Sequence, residues 1–178
     1  MSKLMPGTAF PDLEIQTLSG GLWKLSEQRP ELMTAIFVYR GYHCPVCKKQ
    51  LQDIQQHMDQ FKAAGVNVIA VSMDSQERAK KSREEWEVDA FPVGYDLSEE
   101  TARRLGLYIS ESISDKEPAT FSEPGLFLVQ PDQTLYSVHL QSTPFARPTL
   151  DGLFKGFKHI KENQYPPRGT KSQSVAAV

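Results

Sequence analysis

Cysteine is scarce in this chain: only Cys44 and Cys47 occur among 178 residues, which excludes a fold held by a disulfide framework. Long apolar runs are missing as well. The longest, Leu32 to Tyr39, is interrupted by Thr34 and falls far short of the roughly 18 residues that a membrane-crossing helix needs. Charge of one sign is also lacking. The net charge is −2, and the basic doublets Lys48-Lys49, Lys80-Lys81 and Arg103-Arg104 stand apart in segments of helical spacing, so no continuous basic stripe is offered to phosphates. Neither nucleic acid nor membrane is expected as a partner. The opening residues Met1 to Gly7 do not build the apolar core of roughly 7–15 residues that marks a secretory signal, and the expected location is the cytoplasm.

What is present suffices for one folded domain. A chain of this size removes roughly 70% of its unfolded surface from water, and 39% of its residues are apolar. The expected organisation is a single domain over residues 1–162, followed by a mobile tail over 163–178. That tail holds two prolines, a glycine and polar residues without helical or strand spacing, too little apolar surface to offset the entropy of ordering.

Along the chain, Leu13–Gln16 and Leu22–Lys24 flank the turn signal Ser19-Gly20-Gly21 and predict an N-terminal hairpin. Leu32–Tyr39 predicts a buried strand. After it, Cys47, Leu51, Ile54, Met58 and Phe61 advance by alternating fours and threes, one face of a helix. Pro45 suits its first position and Gly65 its C-terminal cap, which predicts a helix from about Pro45 to Ala64. A second strand is predicted over Val66–Ser72, then a charged helix entered at Asp74 and Ser75 and ending near Trp86. A short extended piece, Phe91–Tyr95, precedes a helix opening at Ser98 and stopping at Gly106. Leu107–Glu123 shows no firm periodicity. Gly125–Gln130 and Thr134–Leu140 flank Pro131-Asp132-Gln133 as an antiparallel hairpin, and a last helix runs from about Thr149 to Ile160. The pattern predicts an α/β fold with a central mixed β-sheet flanked by helices and an N-terminal β-hairpin extension.

The chemistry concentrates at Cys44-Pro45-Val46-Cys47, placed between a buried strand and a helix start. Backbone N–H groups without partners and the positive end of the helix dipole meet there, and both favour a thiolate. Lowering a thiol pKa from about 8.5 towards 7 makes a much larger fraction nucleophilic at neutral pH. With Pro45 first in the helix, Cys44 becomes the N-cap and is expected to project towards solvent as the attacking thiol. Cys47 heads the buried stripe as the resolving thiol, closing a local disulfide. Two other uses of the pair are weaker. Zinc would need further ligands from His43, His57, His139 or His159, which lie in no recognised finger spacing. Inert buried thiols do not account for the Cys-X-X-Cys spacing at such a junction.

The segment Tyr39-Arg40-Gly41-Tyr42-His43-Cys44-Pro45-Val46-Cys47-Lys48-Lys49-Gln50-Leu51 resembles the active-site segment of the alkyl hydroperoxide reductase and thiol-specific antioxidant family, in its peroxiredoxin-like members. The resemblance spans about Met5 to Ile160. It is supported by Pro6-Gly7-Thr8-Ala9-Phe10-Pro11-Asp12-Leu13, Gly125-Leu126-Phe127-Leu128-Val129 and Phe145-Ala146-Arg147-Pro148. It implies a thioredoxin fold and a thiol-based antioxidant oxidoreductase. Laid on the family's Pro-X-X-X-Thr-X-X-Cys motif, the peroxide-attacking cysteine falls on Cys47, with Cys44 at the threonine and Arg40 at the proline. The family's second active-site arginine falls at Pro124. These differences turn the pair towards the thioredoxin pattern, in which the first cysteine attacks and a cis-proline packs on the disulfide; Pro124 is placed for that proline.

Around the pair, Arg40 is a candidate to stabilise a thiolate or departing hydroxide through its fixed charge. His43 is a candidate to tune the neighbouring thiol or to act as acid to the leaving group. The expected substrate is a small hydroperoxide or a protein disulfide, with an external thiol as reductant and no metal or organic cofactor. The resemblance is compatible with homo-oligomers. A module that senses redox state or docks a partner without turnover is the alternative.

Overall fold

Six consecutive residues, Met33–Val38, are buried on both faces, as a central strand covered on two sides requires. The computed structural model describes residues 4–171. In chain order the strands are β1 (Glu14–Thr17), β2 (Leu22–Lys24), β3 (Met33–Val38), β4 (Val66–Val71), β5 (Val93–Tyr95), β6 (Ile109–Glu111), β7 (Thr120–Ser122), β8 (Gly125–Val129) and β9 (Leu135–Leu140). The α-helices are α1 (Pro45–Gln56), α2 (Met58–Ala64), α3 (Gln76–Trp86), α4 (Glu99–Arg104) and α5 (Leu150–Asn163).

Seven strands form one mixed sheet in the order β2-β1-β5-β4-β3-β8-β9. β3 runs parallel to β4 and antiparallel to β8, and the expected N-terminal hairpin extends the sheet through β1 against β5. Side chains alternate along a strand, so β3 supplies two cores. Met33, Ala35 and Phe37 join Leu51, Ile54, Phe61 and Phe157 on one face, whereas Ile36 and Val38 join Phe127, Val129, Ala102 and Leu105 on the other.

The helix expected from Pro45 to Ala64 is two helices. The backbone N–H of His57 bonds back only three residues, to the Ile54 carbonyl, while its ring Nδ1 lies 2.7 Å from the Asp53 carbonyl. The ring thus occupies the carbonyl that the regular helical bond would use. The buried stripe survives the break, because Cys47, Leu51, Ile54 and Phe61 still face the core. Gly65 caps α2 in the left-handed region, φ 76°. The stretch without periodicity, Leu107–Glu123, contains the separate β6–β7 hairpin. Its strands are too short to display an alternation.

After α5 the chain passes β9, where the Tyr136 hydroxyl donates to the Tyr165 carbonyl at 2.8 Å. Residues 172–178 of the tail expected to be mobile lie outside the described residues. Among the described residues, no helix is long and apolar enough to cross a membrane.

Phe61 has no exposed surface and packs against the rings of Phe37, Phe154 and Phe157. Phe61→Ala is expected to lower stability by about 3–5 kcal/mol in urea unfolding. A loss below about 1 kcal/mol would show that the ring does not sit in a close-packed core.

Candidate active site

The buried end of β3 delivers the chain into a tight loop before α1. Asp74, whose carboxylate is fully buried, pairs with Arg78 at 2.9 Å. It also accepts the Tyr42 backbone N–H at 2.7 Å. The loop presses its backbone onto that carboxylate. At Gly41, φ is 134° and a Cβ would stand 2.7 Å from an Asp74 oxygen, so both conformation and space require glycine there. The Cys44 backbone N–H then bonds to the Gly41 carbonyl at 3.1 Å, and Pro45 opens the helix.

Cys44 is the N-cap of α1, its sulfur accepting the Cys47 backbone N–H at 3.2 Å. The expectation that Cys44 projects into solvent is corrected: Cys44 is 1% exposed and Cys47 0%. Two elements come close to the loop and the helix start. Phe121 of β7 packs on both Arg40 and His43, and a loop before α5 brings Arg147 onto the sulfurs. The two thiols are both free and differ in acidity. The Cys44 thiol is lowered to about 6, chiefly because Cys47 hydrogen-bonds to its thiolate; burial opposes this, and Arg147 and Arg40 assist it. Cys47 is pushed up by burial first and then by the neighbouring thiolate, with Arg147 opposing. At neutral pH the site therefore holds a Cys44 thiolate beside a Cys47 thiol.

Arg147 is the residue that sequence reasoning did not assign. Its Nη2 lies 3.1 Å from the Cys47 sulfur and 3.9 Å from that of Cys44. Its other groups are held by the Gln50 side chain on α1 and by the Pro144 carbonyl, 2.9 Å from Nε. Ala146, with φ 56°, turns the loop to aim it. The segment Phe145-Ala146-Arg147-Pro148 already stood out as part of the resemblance, but nothing local to it indicates a contact with cysteines about a hundred residues earlier.

The remaining site candidates separate. Arg40 faces Cys44 closely enough to favour its thiolate and is held by Glu123 at 3.2 Å, Glu117 at 3.8 Å and the face of Phe121. His43 turns its ring edge onto Phe121, with centroids 4.6 Å apart, and Arg78 Nη2 lies 3.5 Å from its Nδ1. Burial, and then the charge of Arg40, lowers the His43 pKa, which leaves it neutral at neutral pH. The cis-proline expected at Pro124 is corrected, since no peptide bond among the described residues is cis. Pro124 instead joins the β6–β7 hairpin to the sheet, its carbonyl accepting the Gln141 N–H at 3.0 Å.

Because the thiolate is the reactive form, the rate of Cys44 alkylation by iodoacetamide is expected to rise with pH through a midpoint near 6 and then level off. Peptide mass spectrometry at each pH measures it. A midpoint at the ordinary thiol value of about 8.5, or label on Cys47 first, would refute the assignment.

Known proteins similar to this chain are peroxiredoxins. Peroxiredoxin 1 of Picrophilus torridus is 29% identical over 132 residues, covering 68% of this chain and 56% of that protein. A peroxiredoxin of Thermoplasma volcanium is 28% identical over 132 residues, covering 71% of this chain and 61% of that protein. The chain thus spans less than two thirds of the length of these relatives. Among solved structures, a variant of Peroxiredoxin 6 of Arenicola marina matches with a TM-score of 0.72 at 20% identity, over 88% of this chain and 73% of that one. Mycobacterium bovis AhpC matches with a TM-score of 0.73 at 16% identity, over 97% and 100%. These structures share the thioredoxin fold expected from the sequence. The AhpC/TSA family matches residues 6–138, more than half of the chain, and the protein with its thiol pair at the head of α1 belongs to that family.

Proposed function

We propose that the protein is a thiol peroxidase that reduces small hydroperoxides and cycles its two cysteines between dithiol and disulfide. The observation that carries this reading is the Cys44 sulfur, held at a helix N-terminus with a second thiol one turn away and a guanidinium touching both sulfurs. Burial of Cys44 favours a small oxidant over a protein disulfide, whose sulfur must line up with the attacking thiolate. Polar capacity gathers beside the pair as well. His43 Nε2, buried there, has no hydrogen-bond partner, a free polar atom suited to a polar substrate, while Arg40 Nε pairs with Glu123 Oε2 at 3.2 Å.

In the cycle, the Cys44 thiolate attacks a peroxide oxygen, the O–O bond breaks, and an alkoxide or hydroxide leaves, taking a proton from water to become alcohol or water, while sulfenic acid forms on Cys44. Cys47 then attacks the Cys44 sulfur. Hydroxide leaves and takes up the proton given up by Cys47, forming water, and the Cys44–Cys47 disulfide closes. An external thiol returns the two electrons. The reading places the protein in a reducing compartment such as the cytoplasm, where a dithiol is regenerated.

Hydrogen peroxide consumption with a thiol reductant is expected to be sustained in the wild type and lost in Cys44→Ser. Cys47→Ser is expected to accumulate sulfenic acid on Cys44, trapped by a dione probe and mapped by mass spectrometry. Sulfenic acid on Cys47 in Cys44→Ser, formed at the wild-type rate, would reverse the roles of the two thiols. One oxidation per reduction, without sustained turnover, would leave a sensor in place of an enzyme.

A further inference from the structure

From the contact geometry we infer that Arg147 is a catalytic residue of the second step, activating Cys47 as the resolving thiolate after Cys44 has reacted. The inference rests on the peroxidase reading for the identity of the first step. Its foundation is the unequal distance: Arg147 Nη2 is 3.1 Å from the Cys47 sulfur and 3.9 Å from that of Cys44. The guanidinium is not free to choose between them. Gln50, on the same helix one turn beyond Cys47, holds its Nη1, and the Pro144 carbonyl holds its Nε at 2.9 Å.

Charge explains the order of events. In the resting site the Cys44 thiolate faces Cys47 as a like charge and as a hydrogen-bond acceptor, and both influences keep Cys47 protonated. Conversion of Cys44 to sulfenic acid removes that negative charge, while the positive charge of Arg147 stays in contact with Cys47. The balance at Cys47 then moves towards the thiolate. Besides Cys44 and Arg147, the titratable group facing Cys47 is Tyr39 at the end of β3, which burial keeps as a neutral phenol. Arg40, the other cation of the site, faces Cys44. Arg40 and Arg147 both favour the attacking thiolate, but Arg147 lies nearer the resolving sulfur. In the closing step, Cys47 gives up its proton, its sulfur forms a bond to the Cys44 sulfur, and the S–O bond breaks to release hydroxide, which that proton converts to water.

The test separates this inference from the peroxidase reading. Thiolate absorbance in the ultraviolet titrates each sulfur without any oxidant. In Cys44→Ser, the further change Arg147→Gln is expected to raise the Cys47 midpoint by about one pH unit, whereas in Cys47→Ser the same change is expected to raise the Cys44 midpoint by less than about half of that. With hydrogen peroxide in a single turnover of otherwise wild-type protein, Arg147→Gln is expected to slow disulfide closure about tenfold at neutral pH and sulfenic acid formation by less than about threefold. Arg147→Lys, which keeps the charge, is expected to recover most of the closure rate. Equal movement of the two midpoints, or equal slowing of the two steps, would overturn the inference. If peroxide does not react at all, the peroxidase reading falls, and the two titrations still decide the preference of Arg147.

Discussion

An α-helix begins with backbone N–H groups that have no partner inside the helix, and in this protein a sulfur takes one of them. The bond from the Cys47 N–H to the Cys44 sulfur ties helix formation to thiol acidity, since any structure that starts α1 at Pro45 also presents a donor to the thiolate. The rest of the architecture keeps that start in place. The buried strand β3 delivers the loop, and the stripe Cys47, Leu51, Ile54 and Phe61 fastens the helix to the sheet. The Asp74 carboxylate fixes the intervening turn through the Tyr42 N–H.

Burial of this start sets two electrostatic demands against each other. Removing a thiolate from water raises its energy, yet the site contains one. The compensation comes from donors and cations on separate elements: the N–H and S–H of Cys47, Arg40 from the end of β3, and Arg147 from the loop before α5. Arg40 in turn is neutralised by Glu117 and Glu123 of the β6–β7 hairpin, so the attacking sulfur lies beside a balanced network instead of an isolated cation.

Much of this was legible in the chain itself. The alternation of fours and threes after Cys47 marked the face of α1 and α2, and Pro45 and Gly65 marked their outer ends, because each residue has a strong local reason to be there. The break at His57 was not legible, since it depends on a ring competing for one backbone carbonyl. The β6–β7 hairpin escaped because strands of three residues carry no measurable period. The fate of the candidate site residues follows the same division. Cys44 as N-cap is a local property and could be read; its burial could not, since a side chain that contacts its sulfur, Arg147, arrives from a distant part of the chain.

The long separation between Arg147 and the cysteines has a meaning during synthesis. The ribosome makes the thiol pair about a hundred residues before the arginine, a lag of roughly 5–20 s at ordinary elongation rates. Through that interval the nascent chain carries its redox motif without the cation that completes the site. Full reactivity is therefore a property of the finished molecule, and a chain cut before the loop that leads into the last helix keeps its cysteines but lacks Arg147.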